Sequence, residues 1–214
     1  MQTHNEDFGY ENLQGNNESK TTNDEHKLQS TWVFWFVSRK QKDHSIPYED
    51  RLKKFGEINS IEIFMNYYAY MKSVMDMDRN IDISFFKKGY KPLWEECPNS
   101  GFIFIRYKKN EESREIDCKW ENMLFALIGE QFDEPSILGS TLSIRGRETI
   151  IELWFTYNKD DKLKNILLVK FKDVLKYNNE SNIFFKDNSL SVQDKSTLKN
   201  IEQVNFSKRK NTHF

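Results

Sequence analysis

The chain has 214 residues, with 32 Lys and Arg against 33 Asp and Glu, and only two cysteines. That length suits one domain with tails, and the near-zero net charge excludes a protein whose overall field holds nucleic acid nonspecifically. Cys97 and Cys118 are too few for a disulfide framework and lack the spacing of metal ligands, so neither a metal nor a cofactor is expected.

Residues 1–25 are rich in Asn, Glu, Asp, Thr and Gln and carry too little apolar surface to offset ordering entropy, which predicts a disordered tail. They lack the apolar core of a signal peptide, and no later stretch approaches the roughly 18 apolar residues of a spanning helix. The expected setting is intracellular, cytoplasmic with nuclear residence also open, and without membrane contact. The fold is expected to begin at His26. The run Trp32-Val33-Phe34-Trp35-Phe36-Val37 is apolar on both faces, which predicts a strand with one face on helices and the other partly covered. Residues 38–50 form a polar loop containing His44, Pro47 and Tyr48.

Ser60 is placed to cap a helix whose apolar residues Ile61, Phe64, Met65, Tyr68 and Met71 recur at helical spacing. Further along, Lys91-Pro92-Leu93-Trp94-Glu95-Glu96 sets a flat π face beside an anionic acceptor. A positively charged purine uses both, the ring for cation–π stacking and the carboxylate for two hydrogen bonds. The same residues in isolation also fit a buried Trp beside surface acids. Strands are predicted at 101–107, 140–145 and 149–157, the last two joined through Arg145-Gly146-Arg147-Glu148. On a strand, Arg145 and Arg147 would point both guanidiniums to one side, where they could grip phosphate oxygens; a solvated hairpin end is the alternative. Helices are predicted at 118–129, with Trp120, Met123, Leu124, Leu127 and Ile128 on one face and Gly129 as its stop, and at 161–176.

After Asp187 the chain turns polar, so 188–214, including Lys208-Arg209-Lys210, reads as a mobile tail around a domain at 26–187. Connections are too short for repeated crossover helices. The predicted class is therefore α+β, a curved, mainly antiparallel sheet with three long helices on its convex face. Catalysis has little support. The four histidines include two in presumed tails, no Gly-x-Ser-x-Gly or phosphate loop occurs, and chance carboxylate pairs are inevitable among 33 acids. The chain is not expected to be an enzyme.

Taken together, these segments resemble the cap-binding translation initiation factor 4E family. The likeness runs through His26-Lys27-Leu28-Gln29, Trp32 and Trp35, then Phe85-Phe86-Lys87-Lys88-Gly89-Tyr90-Lys91-Pro92-Leu93-Trp94-Glu95. It continues through Trp120-Glu121-Asn122-Met123-Leu124, Gly129-Glu130-Gln131-Phe132, Gly139 to Arg145, and Trp154. It covers roughly residues 26–187 in order. The resemblance implies a cap-binding slot on the concave face, with the methylated base stacked between Tyr48 and Trp94, Glu95 hydrogen-bonded to the base, Trp154 against its methyl group, and Arg145 and Arg147 on the phosphates. It also implies a partner surface at His26, Ile61, Met65 and Gly129 for a helix bearing a Tyr-x-x-x-x-Leu-apolar motif. Capped mRNA and either an initiation scaffold of the 4G type or a competing 4E-binding protein are the implied partners, with the chain itself a monomer.

Several positions depart from the family pattern. Tyr48 stands where Trp is usual and is similar to the 4E-homologous branch linked to repression. Phe102 and Ile150 stand at usually basic positions, Met65 replaces a Trp, and Lys27 replaces a proline. The leading expectation is recognition of the 7-methylguanosine cap in translation initiation. The alternatives are a cap-binding repressor and a partner-binding protein that has lost cap affinity.

Overall fold

A computed structural model describes residues 25–39, 46–109, 114–177 and 182–204. Among these, eight strands form one sheet: β1 (Lys27–Ser38), β2 (Lys53–Ser60), β3 (Ile81–Lys87), β4 (Ser100–Lys108), β5 (Ile137–Ile144), β6 (Glu148–Thr156), β7 (Ile183–Asp187) and β8 (Glu202–Gln203). Their order is β2-β1-β3-β5-β6-β4-β7-β8, and every pairing is antiparallel. Four helices complete the α+β fold: α1 (Ile61–Ala69), α2 (Glu115–Ile128), α3 (Asp161–Leu175) and α4 (Asn188–Asp194).

The period of two along each strand divides the sheet into two chemistries. On β6, Ile151, Leu153 and Phe155 join the main core with Phe64 of α1, Trp120, Met123 and Leu127 of α2, and Leu167 and Phe171 of α3. Their neighbours Ile150 and Trp154 face the other way, into a smaller cluster with Phe86, Cys97, Phe102, Phe104 and Leu138. The helix-covered face is thus mainly apolar. Each large side chain buried there stabilises the fold by about 1.5–3 kcal/mol. The opposite face is part aromatic and part polar, and it carries the site.

Local signals explain the helix ends. Ser60 accepts a hydrogen bond from the Ile63 amide at 3.3 Å, and Asp160 accepts from the amides of Lys162 and Leu163 at 2.9 and 3.1 Å, each satisfying donors that a helix start leaves open. Gly139 is required by close approach: a Cβ there would lie 2.5 Å from the Phe85 carbonyl and 2.6 Å from the Phe86 ring. Glycine therefore lets β5 settle against β3.

Two expectations need correction. The first helix is only nine residues long, closing at Tyr70, where the backbone leaves the helical region, so Met71 lies beyond it. The stretch from 188 to 204 is not a tail. It forms α4 and β8, because Asp187 caps α4 through the Ser189 amide and Leu198 and Ile201 pack on the smaller cluster. Residues 1–24, His44 and Lys208-Arg209-Lys210 lie outside the described residues.

Candidate functional site

On the face away from the helices a cleft of about 500 Å³ is lined by loops and strands from across the chain, including Arg39, Tyr48, Asp82, Trp94, Glu95, Thr141, Ser143, Arg145, Glu152, Trp154, Lys195 and Thr197. Tyr48 comes from the β1–β2 connection, at the start of a single 3-10 turn (Glu49–Arg51). Trp94 and Glu95 come from the β3–β4 connection, where buried Pro92 and Leu93 anchor the segment. Lys91 joins these two loops, reaching Glu49 at 2.8 Å and Glu96 at 2.7 Å. The pairs are exposed and contribute little to stability, but the one with Glu49 links the two aromatic loops.

Asp82 is the electrostatic centre of the site. It is 2% exposed, pairs with Arg145 at 2.6 Å and Arg39 at 2.7 Å, and accepts from Ser143 Oγ at 2.7 Å and Tyr48 Oη at 3.2 Å. Burial pushes its carboxyl up, but Arg145, Arg39 and the hydrogen bonds from Ser143 and Arg39 outweigh this and hold it below the ordinary aspartate value. Burial, reinforced by Asp82, pushes the Tyr48 phenol upward, so it remains a neutral donor at physiological pH. The Arg39 guanidinium lies 4.8 Å from the centre of the Tyr48 ring. A cation thus already covers this ring.

Trp154 is held from several sides. It stacks on Phe102 with centroids 5.3 Å apart and planes 20° apart, meets Phe86 edge-on at 5.4 Å, and donates Nε1–H to Glu152 Oε2 at 2.8 Å. Trp94 is half-buried against the same cluster. Glu95 is exposed, and no hydrogen bond or ion pair engages it among the described residues, which leaves its acceptors open. The arrangement offers aromatic faces, a free carboxylate and several cations around one volume. Such a set can hold a flat cationic base with anionic groups attached.

Of the residues singled out from sequence, Tyr48, Trp94, Glu95, Arg145 and Trp154 line the cleft together. Arg147 does not. It lines a separate hollow with Arg106, Lys108 and Lys109. The reason is that β5 ends at Ile144 and β6 starts at Glu148, so both arginines sit in the turn and the strand rule for side-chain direction does not govern them. Phe102 and Ile150 are buried in the smaller cluster under Trp154, so apolar packing takes the place of cations there. Arg39, Lys195 and Glu152 were not singled out. Arg39 and Lys195 adjoin segments that sequence composition marks only as polar, and Glu152 is one acid among 33.

On the helical face, Ile61 and Met65 are 44% and 42% exposed, one turn apart on α1. His26 lies beside them, its carbonyl accepting from the Ile61 amide at 2.9 Å and its ring bonded to Glu62 at 2.7 Å. Phe125 of α2 packs on Phe64 and Tyr68 of α1 at 5.6 and 5.5 Å, and Gly129 is exposed at the end of α2. Among the described residues no cluster of metal-binding side chains occurs, and no helix is long and apolar enough to cross a membrane.

Comparison with known proteins gives a consistent result. A sequence model of the family described as eukaryotic initiation factor 4E matches residues 27–203. The chain is 30% identical over 178 residues to the eukaryotic translation initiation factor NCBP of Oryza sativa subsp. japonica, covering 82% of this chain and 77% of that one. It is 34% identical over 188 residues to eukaryotic translation initiation factor 4E-4 of Caenorhabditis elegans, with 83% and 86% covered. Among solved structures, Ascaris suum eIF4E-3 in complex with m2,2,7G cap superposes with a TM-score of 0.70 at 25% identity, covering 76% of this chain and 91% of that one. The same Ascaris protein in complex with m7G cap gives a TM-score of 0.69 at 26% identity, with the same coverage.

Proposed function

Because the chain belongs to the eukaryotic initiation factor 4E family, we propose that its cleft binds the 7-methylguanosine cap of mRNA in translation initiation, with no chemical step performed by the protein. The observation that carries this reading is the convergence of Trp94, Glu95, Trp154 and Arg145 on one cleft from three separate connections and strands. Methylation at N7 makes the base a cation, so a ring face and a carboxylate both favour it over unmethylated guanine. In this reading Trp94 and Tyr48 stack on the base and Glu95 accepts from its ring donors. Trp154 contacts the methyl group, and Arg145, with Arg39 and Lys195, meets the phosphates.

Partner binding is assigned to the exposed Ile61–Met65 face of α1 together with His26 and Gly129, which suits a short helix with a Tyr-x-x-x-x-Leu-apolar motif. The partner is either a 4G-type scaffold or a 4E-binding protein. A repressor is the second reading, favoured by Tyr48 in place of an indole in the cleft. The test is titration of intrinsic tryptophan fluorescence with 7-methyl-GTP and GTP. Preference for the methylated ligand supports cap binding, while no response to either supports a fold kept for partner binding alone. Capture on cap resin then separates a scaffold-recruiting factor from a repressor by the protein recovered.

A further inference from the structure

Glu152 is a buried acid on a central strand of the sheet. β6 is paired on both sides, Glu152 standing opposite Phe104 of β4 and Thr141 of β5. Strand alternation sends it to the cleft face between Ile150 and Trp154, both in the smaller apolar cluster. It is 4% exposed and lines the cleft. Its hydrogen-bond donor is the Trp154 indole at 2.8 Å, and no ion pair engages it among the described residues. Burial pushes its carboxyl up to about 7, with Asp82 acting in the same direction; the Trp154 bond, Arg145 and Arg39 oppose the rise. An acid buried with so little compensation is costly for packing alone, and a titratable group of this kind in a cleft points to function.

We propose that Glu152 serves as a second carboxylate for a cationic base bound beside Trp154, and so discriminates methylated from unmethylated guanine. This rests on the cap-binding reading. Glu95 accepts hydrogen bonds from ring donors that methylated and unmethylated guanine share. Glu152 is bound to the indole assigned to the methyl group, so it reads the edge where the two bases differ. There the methylated base presents positive charge, which a carboxylate attracts, and the unmethylated base presents the N7 lone pair, which a carboxylate repels. The charged groups acting on Glu152 are Asp82 from β3, Arg145 from the β5–β6 turn and Arg39 after β1; Glu49, Arg51, Glu95, Glu96 and Lys195 line the same cleft. Entry of a cation tips this balance toward the ionised carboxylate, and the proton leaves to solvent.

Two measurements test the proposal. Affinities for 7-methyl-GTP and GTP are compared at pH 7 in the full chain and in Glu152→Gln, which keeps an acceptor for Trp154 and removes the charge. The expected result is a loss of about tenfold in the methylated-to-unmethylated ratio, the equivalent of one pKa unit of coupling. Calorimetry of the unaltered protein at pH 6.5, in buffers of different ionisation enthalpy, should show proton release with 7-methyl-GTP and not with GTP. This second arm does not depend on the variant folding. An unchanged ratio in a folded Glu152→Gln protein, or equal proton release with both ligands, overturns the role of Glu152 while cap binding stands. Failure of the unaltered protein to bind 7-methyl-GTP overturns both.

Discussion

Glu152→Gln also has a consequence for the free protein, where no ligand offsets the buried acid. The carboxyl rises from an ordinary 4.5 to about 7, chiefly through burial; at about 1.4 kcal/mol per pH unit this amounts to about 3 kcal/mol. An acid whose folded value lies above its unfolded one contributes stability that is complete below about pH 4.5 and lost as pH rises through 7. Glutamine has no such dependence, so the variant should gain on the parent by about 3 kcal/mol between pH 4.5 and 8. That is a large share of the roughly 5–15 kcal/mol that holds a domain together. Urea unfolding at intervals across this range, read as the difference between the two proteins, isolates Glu152 from every shared group. Asp82 acts in the opposite sense, losing stabilisation as pH falls through its depressed value, but both proteins contain it. Parallel profiles, with a difference constant to within about 0.5 kcal/mol, would refute the claim that Glu152 is held protonated by burial.

Trp94→Ala should weaken 7-methyl-GTP binding by about 1–3 kcal/mol, the scale of one base–aromatic stack, in a protein whose melting curve remains cooperative; unchanged affinity would remove Trp94 from the site. Tyr48→Phe deletes the hydroxyl bonded to Asp82 but keeps the ring, so binding should persist, whereas Tyr48→Ala should reduce it; equal binding by both would place the first stacking ring elsewhere. Lys195→Ala should reduce the gain in affinity from mono- to triphosphate cap analogues and flatten its salt dependence, a result that titration at several ionic strengths would reveal or exclude. Met65→Trp should strengthen binding of a peptide with the Tyr-x-x-x-x-Leu-apolar motif, measured by fluorescence anisotropy, because an indole adds a donor that thioether sulfur lacks; no gain would move the partner groove away from α1.

The elements with strong local patterning were legible in the sequence. The apolar face of α2 serves the large core at helical spacing, and β4 and β6 are nearly continuous apolar runs because one face enters the large core and the other the smaller cluster, so local patterning alone reveals them. β2 was missed because it is an edge strand: of Lys53–Ser60 only Ile58 and Ser60 are buried, and solvated edges need little alternation. The end of the domain was misplaced because composition cannot register a buried lysine, and Lys186 is what fastens the segment after β7. In the site, Trp94 and Trp154 stood out as a rare residue type, and Glu95 by its place directly after Trp94 in a familiar order. Arg39, Glu152 and Lys195 belong to abundant types, and only the three-dimensional arrangement gathers them around the cleft. Arg147 shows the converse, since spacing grouped it with Arg145 but a turn separates their directions.

Lys186 is fully buried, and its ammonium donates to Asp194 at 2.9 and 3.0 Å, to the Lys199 carbonyl at 2.6 Å and to the carbonyl of Ser196. These bonds clamp the backbone on either side of Lys195 and Thr197, the residues that supply one border of the cleft. During synthesis the chain emerges from the N-terminus at about 5–20 residues per second, so both aromatic loops and Asp82 leave the ribosome well before this border. A nascent chain can therefore present Tyr48 and Trp94 while the cleft still lacks one border, which closes only when the strap beyond β7 has emerged and locked onto Lys186.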